Sequence, residues 1–226
     1  MKKKRGESTF FKRLKTDFEF RTYITSTVSF FVTFLFAVYN VFLGIAYKTV
    51  WNIGIAVYYL LLVGVRAFVG YKEIKLKKSQ LEEIVKDERR KNVYIAQSVM
   101  FFIIDLALIG PITLMVLQRK SVDYSKIPAI AIAAYTVFKI ATSSVSYAKT
   151  RNAEHLSVKM LKNVNFIDAL VSVLTLQYTL IMTFDSKGIT GSMLTLCAIT
   201  SFVIWVFLIA VSVTNLIRAV KTKRAL

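Results

Sequence analysis

The chain has 226 residues, 55% of them hydrophobic, and yet a formal net charge of +18. A soluble domain of that charge would spread its lysines over a polar surface; here the charges fall in blocks between long apolar runs, which is the organisation of a membrane protein. The one cysteine, Cys197, lies inside such a run, so an intramolecular disulfide is excluded and no thiol metal site is suggested.

The first segment, residues 1–22, is basic. No apolar run or small-residue cleavage site follows Met1-Lys-Lys-Lys-Arg5 at the distance of a secretory signal, so insertion is expected to rely on the first span itself. Phe10, Phe11, Leu14 and Phe18 share one helical face, with Lys12, Arg13 and Lys15 elsewhere. That pattern suits either a helix lying in the membrane interface or a plain basic flank that fixes topology.

A bilayer core about 30 Å thick calls for about 20 apolar residues in a helix rising about 1.5 Å per residue. Six stretches qualify: Tyr23 to Ala46, Trp51 to Tyr71, Val93 to Leu117, Ile127 to Tyr147, Val164 to Phe184 and Met193 to Ile217. They define a transmembrane domain over residues 23–217, followed by a basic tail over 218–226. Helices are required, because an open strand would leave backbone groups unpaired in lipid. The fold class is therefore all-α and polytopic.

Of the 31 basic residues, 24 fall in the N-terminal segment, the linker 72–92, the loop 148–163 and the tail, against 5 in the three alternate loops. Basic loops stay in the cytoplasm, which places both termini inside. The linker 72–92, which mixes basic residues with Glu82, Glu83 and Asp87, is expected to extend the second and third helices into the cytosol. Short outer turns and longer inner linkers suggest three consecutive helical hairpins. Ile53-Gly-Ile-Ala-Val-Tyr58 resembles Ile130-Ala-Ile-Ala-Ala-Tyr135, and Asn40, Asp105 and Asp168 each place a polar residue in the first helix of a hairpin. Trp51, Tyr47 and Tyr71 stand where aromatic interface anchors are expected.

Four ionisable residues lie within the spans: Arg66, Asp105, Lys139 and Asp168. Each would cost at least ~2.5 kcal/mol facing lipid at mid-bilayer, so pairing or a wet cavity is expected. Counting from the inner helix ends puts Arg66 about 7 Å deep, Asp168 about 6 Å, Lys139 about 12 Å and Asp105 about 18 Å. These depths predict an Arg66–Asp168 pair and a Lys139–Asp105 pair. Asp105 is the better functional candidate, being deepest and close to Gly110-Pro111, where proline removes a hydrogen bond and opens backbone to a cavity. Asn40 and Gln177 complete the candidate polar site, while Asn52, Asn165 and Thr175 read as interhelical contacts. The bland reading of the charges is that they only fix which helix packs on which.

An enzyme is not expected. The only histidine, His155, is in a loop, and no HExxH, GxSxG, GxGD or glycine-rich phosphate motif occurs. Neither a cofactor nor a metal is implied. The basic runs are explained by topology, so nucleic acid is not an expected partner; the bilayer and its anionic headgroups are.

Three stretches carry a family resemblance: Gly110-Pro-Ile-Thr-Leu-Met-Val116, Pro128-Ala-Ile-Ala-Ile-Ala-Ala-Tyr135, and Ile167-Asp-Ala-Leu-Val-Ser-Val-Leu-Thr-Leu-Gln177. With them the chain resembles an uncharacterised family of six-helix membrane proteins of Gram-positive bacteria. The resemblance implies a bacterial cytoplasmic membrane and no activity, substrate or cofactor. Two functional expectations follow from the residues. One is a small transporter or channel subunit with its polar site in the inner half of the bundle. The other is a non-transporting scaffold or regulatory partner with a basic lipid- or protein-binding face.

Overall fold

The computed structural model describes residues 18–118, 126–149, 156–184 and 191–224. The possible interfacial segment and the basic N-terminal block up to residue 17 lie outside them. Seven helices follow in order: α1 (Phe18–Ala46), α2 (Val50–Lys78), α3 (Glu83–Ala107), α4 (Ile109–Gln118), α5 (Lys126–Lys149), α6 (Leu156–Phe184) and α7 (Gly191–Arg224). With α3 and α4 forming one interrupted span, six are long and apolar enough to cross a membrane. Among the described residues the chain is thus all-α, and it fits a multi-pass membrane protein.

Each helix divides into a face turned inward and a face of large apolar side chains. On α1 the inward positions are Ser29, Thr33, Phe36, Ala37, Asn40, Leu43 and Gly44, while Phe31, Leu35, Val38, Phe42 and Ile45 are exposed. The inward face is the more polar and the smaller, which lets backbones approach where lipid offers no hydrophobic drive. Exposed leucines, isoleucines and phenylalanines are what a lipid-facing surface requires.

Helix ends follow local chemistry. The turn from α1 to α2 is closed by Thr49 donating to the Gly44 carbonyl (3.0 Å) and Lys48 to that of Ile45 (3.4 Å). This is the Schellman arrangement, with Lys48 at φ 51° in the left-handed position that glycine usually takes. At Gly44 an added Cβ would stand 2.6 Å from Ile53 Cγ1, so the bare backbone is what lets the start of α2 close on α1. The interruption between α3 and α4 falls at Leu108, three residues before Pro111, whose ring in a continuous helix would clash with the Ala107 carbonyl and which supplies no N–H. The linker 72–92 is nearly all helix, with a break only at residues 79–82. The basic tail continues α7 as far as Arg224.

The packing departs from three self-contained hairpins. Helices α1 and α2 pack closely along one another, as expected. The third span, however, packs chiefly on α7, and α5 packs chiefly on α6. Among the described residues the backbone of α5 approaches neither α3 nor α4, so the expected second hairpin does not form a closely packed pair. Helix α6 is central and meets α1, α2, α3, α5 and α7. A small apolar cluster of Val69, Tyr94, Met160 and Ala219 ties four helices together at the end that carries the basic linkers.

The main core holds Trp51, buried at 2% exposure and packed 4.8 Å from the Tyr178 ring. It is a core residue and not the interface anchor expected of it. Tyr71, in contrast, is exposed.

Candidate functional site

Three of the four intramembrane charges converge on one point. Asp168 of α6 accepts at one carboxylate oxygen from Lys139 Nζ of α5 (2.5 Å), Arg66 Nη2 of α2 (2.7 Å) and Thr33 Oγ1 of α1 (2.8 Å). Its other oxygen accepts from the Tyr135 hydroxyl at 3.0 Å. Ser29, one turn before Thr33 on α1, accepts from Arg66 Nη1 (2.7 Å) and Lys139 Nζ (2.9 Å) and donates to Asn165 Oδ1 (3.3 Å). Four helices are joined through this cluster.

The residues are fully withdrawn from solvent. Asp168 is 0% exposed, Lys139 1% and Arg66 4%. Two cations face one carboxylate, so the excess positive charge is spread over hydroxyl oxygens and the Tyr135 ring, which lies 5.3 Å from Lys139 Nζ. The Tyr135 ring in turn stacks on Phe36 at 3.6 Å, and Tyr59 meets it edge-on. This aromatic wall covers one side of the cluster.

The expected Arg66–Asp168 pair is present at 2.7 Å. The expected Lys139–Asp105 pair is not: Lys139 joins Asp168 instead. The reason lies in the packing. Depth alone does not say which spans are neighbours, and among the described residues the backbones of the third and fourth spans do not approach each other.

Asp105 occupies a separate site. Its carboxylate accepts from the Tyr58 hydroxyl of α2 at 2.7 Å and from Ser212 Oγ of α7. Its carbonyl accepts from the Trp205 indole N–H at 2.8 Å, just before the helix is interrupted. Asp105 is 0% exposed, and no basic side chain among the described residues pairs with it. Its partners are neutral donors, which satisfy the carboxyl without an ion pair.

Asn40 and Gln177 belong to neither cluster. Asn40 is buried and donates to the Phe36 carbonyl one turn back on its own helix (2.9 Å). Gln177 donates to Thr200 Oγ1, linking α6 to α7. Ser29, Thr33, Tyr58, Tyr135, Ser212 and Trp205 escaped the sequence reading. A signal existed for the tyrosines, since Tyr58 and Tyr135 end the two similar hexapeptides. Each donates to the buried aspartate of the following span, so that short repeat marks a recurring tyrosine–aspartate contact. The Ser29–Thr33 spacing of four likewise puts two hydroxyls on one helical face.

Neither acid lines the larger described cavity, a groove of about 660 Å³ between α5, α6 and α7. Nor do they line the smaller apolar one against α4 and α7. Comparison with known proteins gives no matching family model, no matching curated protein and no matching solved structure.

Proposed function

We propose that the protein is a non-transporting module of a bacterial cytoplasmic membrane, a scaffold or regulatory partner whose basic end faces the cytoplasm. No catalytic activity is part of this reading. The observation that carries it is the burial of all four intramembrane charges against protein donors and acceptors. Such groups serve best to fix which helix packs on which, since a buried pair adds specificity more readily than stability. The excess of basic residues in the linkers and tail supports the cytoplasmic orientation. The bacterial assignment rests on the resemblance of the three sequence stretches alone.

A transporter or channel subunit is the second reading. It is favoured by the interrupted helix beside Asp105, since broken helices line the midplane sites of many transporters. Reconstitution separates the two. Liposomes holding the purified chain and a pH-sensitive dye are expected to pass protons and potassium no faster than protein-free liposomes. A flux that disappears in a folded Asp105→Asn variant would establish transport in its place.

A further inference from the structure

The groove between α5, α6 and α7 is unlike the rest of the surface. Among the described residues the backbones of α5 and α7 stay apart, so α6 forms its floor and the two others its walls. At one end stand Lys162 of α6 and Arg218 of α7. Asn215, one turn before Arg218 on α7, also lines the groove. It is only 5% exposed, and its amide nitrogen has no hydrogen-bond partner among the described residues. A buried donor left unsatisfied costs ~1–3 kcal/mol, so one beside two cations marks a place suited to an acceptor.

Away from that end the lining turns apolar. Phe166 and Val173 of α6 and Phe207 of α7 lead inward, and among the described residues no acidic side chain lines the groove. From Lys162 to Val173, and from Arg218 to Phe207, the helices run about 16 Å. A cationic mouth over a long apolar trough, open sideways to the surroundings of the bundle, has the complementarity of an amphiphile with an anionic head.

We infer that this groove is a binding site for one anionic phospholipid, its phosphate held by Lys162, Arg218 and the Asn215 amide, and an acyl chain lying along α6. The basic end of the groove coincides with the end that carries the basic linkers, where an anionic leaflet would place such headgroups. The inference rests on the non-transporting reading only in taking the occupant as a resident lipid and not a translocated solute.

The test is native mass spectrometry of the full chain, titrated in detergent with phosphatidylglycerol or phosphatidylcholine. Phosphatidylglycerol is expected to bind one per chain and more tightly than phosphatidylcholine. Lys162→Gln with Arg218→Gln should weaken it roughly tenfold or more. Lys221→Gln with Lys223→Gln, which removes the same charge outside the groove, should change it little. Ala210→Trp fills the groove and leaves every charge in place; it too should abolish binding, so the outcome does not depend on the double variant folding. Equal affinity for both lipids, equal loss in the two charge-removing variants, or full binding by folded Ala210→Trp would overturn the site. Flux in the liposome assay would instead overturn the non-transporting reading, whatever the lipid result.

Discussion

At Asp168 the charge arithmetic of the cluster is visible in single residues. Removing either cation leaves one buried pair in balance, whereas removing the carboxylate leaves two cations facing each other with no counter-ion. Asp168→Asn is therefore expected to lower stability by about 3–5 kcal/mol, the range for stranding a buried charge. Lys139→Met leaves Arg66 and Asp168 paired and is expected to cost clearly less. Thermal unfolding of the purified variants in detergent checks the order, and a Lys139→Met loss equal to that of Asp168→Asn would contradict it. Asp105 is a different case, because its partners are the neutral hydroxyls of Tyr58 and Ser212. The buried, polar character of these residues was legible in the sequence; their partners were not. A hydroxyl such as Ser29 or Ser212 carries no signal of its own in an apolar helix. It becomes part of a site only when another helix brings a charge to it.

Among the elements, the interrupted third span shows how one proline is accommodated. The break falls where Pro111 requires it, and the proline ring then packs against α2 at Gly54, where an added Cβ would stand 2.7 Å from Pro111 Cγ. That contact needs a bare backbone, since neither a proline ring nor a helix yields easily. Gly54→Ala is expected to push α2 from α4 and to destabilise the protein by about 1–3 kcal/mol, the usual cost of overpacking. Gly64, on the same helix, has nothing within 4 Å of an added Cβ. Gly64→Ala should be neutral or stabilising by up to ~1 kcal/mol through helix propensity. Melting temperatures of the two variants compare the effects directly, and equal behaviour would count against the Gly54–Pro111 contact. The existence of each span was readable, because length and hydropathy are local properties. The early start of α6 at Leu156 was not, because Lys159 and Lys162 read as loop charges.

Over the whole molecule the decisive difference is in the neighbours. Short outer turns suggested consecutive hairpins, and for α1 and α2 this is how the helices pack. Loop length does not determine whether two linked spans stay together once a central helix competes for their inward faces. Helix α6, with small and polar residues on several sides, takes α5 against it, and the third span is left to α7. That rearrangement moved Lys139 from Asp105 to Asp168 and produced one three-charge cluster in place of two pairs. It also left α5 and α7 apart, which is why the groove exists. The architecture buries its four intramembrane charges and keeps most of its remaining cations at one end.

Water access to the two acids is the measurement that bears most directly on this account. Thr33 touches Asp168 and Ser212 touches Asp105, and both are 0% exposed. In a Cys197→Ala background, Thr33→Cys and Ser212→Cys should resist a charged, membrane-impermeant thiol reagent from either side of reconstituted membranes. Ile84→Cys, at a position 76% exposed, should react from one side and serve as the control. Rapid modification of folded Thr33→Cys or Ser212→Cys would mean a water-filled path to the buried charges, and the sealed, non-transporting reading would be wrong.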